Sequence, residues 1–241
     1  MTVSPAIRIA GAAQTEAGRL FAPVTLDLEA GEWTCLLGAS GVGKSTILRL
    51  LAGLEAHVVF KGTIAADDGL PLSDRVALMA QDDLLFPWAT VLENVCTGAR
   101  LRGETPDMAR AVTLLNRVGL SPHARKKPTQ LSGGQRQRAA LARTLMEDRP
   151  VILLDEPFSA LDAKTRSQMQ DLAVELLAGR TVLLVTHDPG EAARLGQKIA
   201  VLEQEGLTEI VPPESSIPRG IDDPETLSAA GALLRRLREA A

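Results

Sequence analysis

Tyrosine is absent from this 241-residue chain, and aromatic residues make up only 2% of it, as four Phe and two Trp. Binding chemistry that depends on aromatic rings therefore has few seats. Cysteine is scarce too: Cys35 and Cys96 form neither a metal-ligand spacing nor a disulfide scaffold, and both are expected to be core residues. No run of 18 apolar residues occurs, so no segment is predicted to span a bilayer. The opening MTVSPAIRIAGAAQ lacks a basic stretch followed by an apolar one, so no secretory signal is expected and the cytosol is the default compartment. A basic excess is missing as well. Lys and Arg number 26 against 30 Asp and Glu, for a net charge of −4, which argues against an extended nucleic-acid footprint. With 20 Gly and 14 Pro, neither a collagen-like nor a disordered tract is in view, and no internal repeat is visible.

What remains is a globular composition: 45% hydrophobic, 23% charged, mean hydropathy +0.07. A chain of this length buries roughly 70–75% of its unfolded surface, as one large domain or a domain with an insertion. Val24–Leu28 alternates like a half-buried strand, and Gly31 turns it into a strand over Trp33–Leu37. Short strands are predicted at Thr63–Ala65 and Val76–Met79, with Asp68-Gly69 as the turn between them. The all-apolar runs Val151–Leu154 and Val182–Val185 fit strands buried on both faces of a parallel sheet. Between those runs, Asp162 is placed to cap a helix carrying Met169, Leu172, Ala173 and Leu176. Strand, helix and strand in this rhythm mean α/β. From about residue 86 to 143 there are helices and loops but no convincing strand. One of these helices is expected to start at Thr105-Pro106, with a stripe of Met108, Ala111, Val112, Leu115 and Val118 and a stop at Gly119. After Pro212-Pro213 and Pro218, a last helix capped by Asp223 carries Leu227, Ala230, Leu234 and Leu237, a stripe expected to dock on the body of the protein.

Three motifs carry chemistry. Gly38-Ala39-Ser40-Gly41-Val42-Gly43-Lys44-Ser45-Thr46 matches a phosphate-binding loop and sits between a predicted strand and a predicted helix over Ile47–Leu54. Its glycines let backbone N–H groups wrap phosphates, Lys44 suits the β- and γ-phosphates, and the Ser45 hydroxyl suits Mg²⁺. Asp155 and Glu156 follow the run Val151–Leu154, at a strand end where α/β proteins build ligand sites. Asp155 suits Mg²⁺, and Glu156 suits the polarisation of a water for attack on the γ-phosphate. Ser132-Gly133-Gly134-Gln135 opens a helix over Ala139–Met146 with no acid in its first turn: a second anion-competent helix start, or simply a Ser-capped helix. Two such helix starts in one chain suit a two-fold dimer in which each faces the other's phosphate loop.

Taken in order, the phosphate loop, Gln81, LSGGQ at 131–135, LLDEP at 153–157, Ser159-Ala160-Leu161-Asp162 and Thr186-His187-Asp188 resemble the ATP-binding subunits of the ABC transporter family, over about residues 7–210. The resemblance implies a P-loop ATPase core. It comprises a mixed, largely parallel sheet, an N-terminal antiparallel strand region and an inserted helical subdomain, with a nucleotide-binding domain over 1–211 and a linker and C-terminal helix over 212–241. It implies ATP and Mg²⁺ as cofactors, and a homodimer at the cytoplasmic face of the inner (plasma) membrane. The dimer is peripheral there, held by integral permease subunits and served indirectly by a substrate-binding protein. Nucleic acid is not among the implied partners. Gln81 is implied to touch Mg²⁺ or the attacking water and to connect to the permease. Ser132 and Gly134, within the 132–135 nucleotide-binding stretch, are implied to reach the γ-phosphate held by the opposite protomer. Asp162 is implied to link the two sites, and His187 to hold the γ-phosphate and help position Glu156. His57 and His123 match nothing in the pattern and are expected to be solvated loop residues.

The chain departs from that pattern at the base. The aromatic residue on which the family stacks adenine falls near Thr15 here, and Gly11–Gly18 contains none; Phe21 aligns as core. Leu84-Leu85-Phe86-Pro87-Trp88-Ala89-Thr90-Val91 after Gln81 resembles importer subunits of the nitrate, sulfonate and taurine type, which also serve thiamine-precursor uptake. Its apolar Leu-Phe-Pro-Trp run suits a socket for a permease helix, or packs into its own lobe. The implied function is ATP hydrolysis coupled to solute uptake. The alternatives are an exporter subunit, disfavoured by Pro87-Trp88 and by the lack of a fused membrane domain, and a soluble non-transport ABC ATPase, disfavoured by the lack of coiled coils and of basic charge.

Overall fold

A computed structural model describes residues 4–16, 18–54 and 57–239. The chain runs through strands β1 (Ile7–Thr15), β2 (Gly18–Leu28) and β3 (Trp33–Gly38), helix α1 (Lys44–Leu51), and strands β4 (Val59–Ala66) and β5 (Val76–Met79). Helices α2 (Val91–Val95), α3 (Thr97–Leu101), α4 (Met108–Arg117) and α5 (Gly133–Met146) follow. The rest is β6 (Val151–Asp155), α6 (Ala163–Leu176), β7 (Thr181–Val185), α7 (Pro189–Leu195), β8 (Lys198–Glu203), β9 (Gly206–Ile210) and α8 (Pro224–Glu239). These elements form two compact units. The first takes Met1–Val76, Pro150–Asp155 and Leu177–Ala241; the second takes Ala77–Arg149 and Glu156–Leu176.

The first unit is the α/β part. Its larger sheet runs β6-β7-β3-β8-β9, with every neighbouring pair parallel except β8 and β9. β3, β6 and β7 are buried at every position, which is why their sequences are unbroken apolar runs rather than alternating ones. The antiparallel sheet, β2-β1-β4, alternates instead, with Ile7, Ile9, Leu26 and Leu28 inward. The fold expected from the sequence, a mixed and largely parallel sheet with an N-terminal antiparallel region, is the one observed. β1 is an element that the sequence reading did not place, and β2 begins six residues before the predicted strand.

The tail belongs to the first unit. Arg219, buried although it lies in the stretch read as a linker, donates to the carbonyls of Ala193 and Gly196 (both 2.8 Å) at the end of α7, and to those of Pro213 (2.7 Å) and Ser215 (2.8 Å). Arg194 Nε donates in turn to the Arg219 carbonyl at 3.0 Å. α8 then packs on α7. The docked face is rotated from the predicted one: Thr226 and Leu233 are buried and Ala230 and Leu237 of the expected stripe half-buried, whereas Leu227 and Leu234 are exposed. The cap explains the rotation, because the Asp223 carboxylate accepts from both the backbone N–H and the hydroxyl of Thr226 and holds that side chain inward.

The second unit is mostly helical. α4 starts at Met108, two residues beyond the predicted start, because Asp107 is the N-cap and accepts from Arg110 N. Ala111, Leu115 and Val118 of the expected stripe are buried, together with Leu114, whereas Met108 and Val112 are exposed, contrary to expectation. Over ten residues, two neighbouring apolar faces fit the sequence almost equally well, and packing selects one. α5 is the unit's long buried helix, with Ala139, Ala140, Leu141, Ala142 and Leu145 inside. Cys96 is buried beside the Met108 sulfur (3.8 Å), and Cys35 is buried within β3, as the sequence suggested for both.

Candidate nucleotide site

β3 ends between β7 and β8, parallel to both, and at its carboxyl end the chain makes the loop Gly38–Gly43 before α1. That edge is where parallel sheets hold ligands. Gly43 is the N-cap of α1 at φ 108°, and a Cβ there would lie 2.7 Å from the Phe21 ring, so only glycine fits. No side chain caps α1 and no acid stands in its first turn, so its N–H groups and the positive end of its dipole are presented to the loop. Lys44 is buried, and its Nζ donates to the carbonyls of Gly38 (2.8 Å) and Ala39 (2.9 Å). A buried ammonium beside the uncapped N-terminus of α1 gives this loop the positive field that favours an anion. Helix α1 starts at Lys44, not at Ile47, and stops at Leu51, leaving Leu54 exposed beyond Gly53.

Two more predicted residues lie at the same edge of the first unit's sheet. Asp155 is the buried last residue of β6, paired in register with Val185 of β7, and α1 packs on both strands. His187 follows β7 and is exposed. The next residue, Asp188, caps α7 through Gly190 N (2.8 Å), so the capping role that the His187 ring could have filled is taken. Ser45 is half-buried in the first turn of α1. A hydroxyl and one carboxylate are hard oxygen donors of the kind that hold Mg²⁺ together with nucleotide phosphates rather than in an all-protein cage. Among the described residues, no cluster of three or more His, Cys, Asp or Glu makes such a cage.

The second unit holds the other predicted residues. Ser132 caps α5 in a reciprocal box: its Oγ accepts from Gln135 N (3.2 Å), and Gln135 Oε1 accepts from Ser132 N (2.9 Å). The hydroxyl keeps its own O–H donor, so a Ser cap and an anion contact are compatible. A Cβ on Gly134 would approach Leu161 and the Ala160 carbonyl at 3.1 and 3.3 Å, and Gly133 faces the Ala160 methyl. Asp162 caps α6 by accepting from Thr165 N, and that hydrogen bond holds its carboxyl below the usual carboxylate range. His123 is half-buried rather than solvated, with Nε2 3.1 Å from Gln135 Nε2; His57 is exposed as expected.

Glu156 has φ 48°, a left-handed conformation that is rare for a non-glycine residue. Gln81 Nε2 lies 3.5 Å from its Oε2, at the outer limit of a hydrogen bond. The Gln81 segment is tied to α5. Arg136 pairs with Asp83 (2.9 Å), and Arg143 donates to the carbonyls of Asp83 and Leu84 (both 2.7 Å), burial pushing its guanidinium pKa down. Beyond it, the buried Asn94 accepts from Phe86 N (2.7 Å) and donates to the carbonyls of Phe86, Ala89 and Thr90. On this rigid turn Trp88, 70% exposed, stacks on the half-buried Phe86 with centroids 5.0 Å apart. The sequence reading missed Asn94 and Gln137. Each is defined by the distant backbone groups its amide reaches, which no sequence spacing marks.

At the β1–β2 turn, Thr15 Oγ1 donates to the Gly18 carbonyl (3.3 Å), and Phe21 is fully buried as core. No helix among the described residues is long and apolar enough to cross a membrane.

Comparison with known proteins agrees with this arrangement. A family model described as ABC transporter matches residues 21–159. The chain is 46% identical over 225 residues to an uncharacterized ABC transporter ATP-binding protein of Haemophilus influenzae, covering 90% of this chain and 92% of that one. It is 50% identical over 186 residues to the aliphatic sulfonates import ATP-binding protein SsuB 2 of Agrobacterium fabrum, at 75% and 69% coverage. Identity to SsuB 3 of Nocardia farcinica is 44% over 239 residues, at 98% and 91%. Among solved structures, a dimeric ATP-binding cassette in a post-hydrolysis state bound to ADP and Pi aligns with TM-score 0.75 at 31% identity, over 89% of this chain and 99% of that one.

Proposed function

Since the chain belongs to the ABC transporter family, as one of its ATP-binding ATPases, we propose that it energises an importer of small sulfonates. In this reading it works as a homodimer on the cytoplasmic face of the membrane, held there by two permease chains and served by a substrate-binding protein. The observation that carries the ATPase chemistry is the buried Lys44 in its glycine loop. Lys44 and the α1 amides hold the β- and γ-phosphates. Ser45 and Asp155 are the residues that would hold Mg²⁺, Gln81 is the side chain assigned to the ion or the attacking water, and the ion would supply neutralisation of phosphate charge. Glu156 takes the proton of the attacking water, His187 steadies the γ-phosphate, and the O–H of Ser132 with the amides of 133–135 supplies donors to the nucleotide of the opposite protomer. Asp162 lies on the dimer face beside them. Most of this work is positioning and electrostatics.

The stacked Phe86–Trp88 pair is the permease contact, because a large exposed aromatic on a backbone locked by Asn94 makes a rigid anchor. The sulfonate assignment follows the function of the aliphatic-sulfonate import relatives; taurine, nitrate and thiamine precursors are the neighbouring solute classes. The test is growth of the source organism, deleted for this gene, on an alkanesulfonate as sole sulfur source. Growth is expected to return with the parent gene and not with Lys44→Ala or Glu156→Gln. Undiminished growth of the deletion strain on sulfonates but not on another anionic solute would move the solute assignment. Rapid ATP turnover by purified Glu156→Gln would overturn the role of Glu156.

A further inference from the structure

We propose that Gln137 is a positioning residue for Glu156, a role that rests on the reading of Glu156 as the base. Gln137 lies on the buried face of α5, one turn beyond the Ser132 cap, and all its amide bonds go to one short stretch of chain. Its Nε2 donates to the Glu156 carbonyl (3.0 Å) and to Ser159 Oγ (3.2 Å), and its Oε1 accepts from Ala160 N (2.9 Å). Ser159 adds two donors to the same Glu156 carbonyl, from Oγ (3.0 Å) and from N (3.3 Å).

Glu156 needs this support. At φ 48° its backbone sits in a left-handed region that is unfavourable for a non-glycine residue and persists only where the surroundings over-determine it. That backbone conformation sets the direction in which the carboxylate leaves the chain, so the atoms fixing the carbonyl also aim the side chain. Arg136 and Arg143 hold the Gln81 segment from the same helix, so α5 fixes both sides of the Gln81–Glu156 approach. A glutamine suits this position because only an amide offers donors to Glu156 and Ser159 and an acceptor to Ala160 at once. The helix that begins with the Ser132-Gly133-Gly134-Gln135 stretch thus carries, two residues further on, the brace of the catalytic turn.

The experiment compares Gln137→Met, which removes donors and acceptor, with Gln137→Glu, which keeps the acceptor toward Ala160 N and loses the donors toward Glu156. Both are measured alone and combined with Glu156→Gln, by steady-state and single-turnover ATP hydrolysis. Thr144→Ala, which removes a buried hydroxyl bond to Ala140 elsewhere on α5, is the control for helix stability. Both Gln137 variants are expected to lower kcat about 10- to 100-fold while KM for ATP stays within about twofold, the loss typical of a misplaced catalytic group. In the Glu156→Gln background the Gln137 substitutions are expected to lower the residual rate no further, since the group they position is gone. Unchanged kcat, a loss of kcat matched by Thr144→Ala, or a full additional loss in the double variant overturns the positioning role. Undiminished turnover of Glu156→Gln alone instead overturns the base assignment on which it rests.

Discussion

Arg219→Met tests how the tail is held. The methionine keeps an apolar stem in the site and deletes the donors. Four carbonyls lose a charge-assisted bond in the change. Those of Ser215, which is exposed, and Pro213, which is half-buried, can regain water. Those of Ala193 and Gly196 belong to buried residues at the end of α7 and cannot. At about 1–3 kcal/mol for each buried acceptor left unmatched, the two amount to roughly 2–6 kcal/mol. Releasing the guanidinium from burial, which depresses its pKa, returns part of that, so the expected net loss is about 3 kcal/mol. For a chain of this size, that is a fall in Tm of about 6–12 °C. Arg219→Lys retains charge but not the fork and is expected to lose about half as much. The assay is calorimetric unfolding of the full chain without nucleotide, together with limited proteolysis after residue 211. A Met variant that unfolds within about 2 °C of the parent, or a Lys variant equal to the parent, would refute the reasoning.

Gly43→Ala places a methyl 2.7 Å from the Phe21 ring at φ 108°, a strain of roughly 1–3 kcal/mol, and is expected to abolish nucleotide binding in a fluorescence titration. Asn94→Ala releases the turn carrying Trp88, and should leave the ATPase of the isolated chain intact while permease co-purification is lost; retained co-purification would argue against the turn as the contact. Asp27, Asp68, Glu93, Asp162 and Asp223 are all held below their ordinary values of 3.8 or 4.5, by Arg8, Arg75, Thr90, Thr165 and Thr226 respectively. A depressed folded pKa means stability that is present above the unfolded value and lost as pH falls through the folded one. Tm should therefore be insensitive to these groups above about pH 5 and drop below about pH 4, and a rise on acidification would contradict it. Burial pushes both thiols up, so Cys35 and Cys96 should resist alkylation until the chain unfolds, as a mass-spectrometric time course would show.

The parts of this molecule that were legible in the sequence are those where one physical demand acts alone. β6 and β7 must be apolar on both faces, so Val151–Leu154 and Val182–Val185 read as strands without ambiguity. The phosphate loop was equally plain, because close approach and left-handed backbone leave only glycine at Gly43. Elements where two demands compete were harder. In β1, after Ile7 and Ile9, the alternation fades into Gly11, Ala12 and Ala13, whose small side chains carry little pattern. In α8 the leucine stripe suggested one face, while the Asp223–Thr226 hydrogen bonds selected another. Gln137 and Asn94 were invisible for a different reason. Their meaning lies in which carbonyls they reach, and no spacing in the chain encodes that.

The two tryptophans have a practical consequence. Trp33 is buried at the start of β3 in the first unit, and Trp88 stands in solvent in the second. With no tyrosine to contribute emission, the intrinsic fluorescence of the protein is the sum of these two indoles. The buried one should emit to the blue and ignore aqueous quenchers; the exposed one should emit to the red and be quenched readily by iodide. Each unit thus comes with its own optical reporter. Unfolding of the sheet and occupation of the aromatic surface can be followed as separate spectral components in the unlabelled wild-type chain.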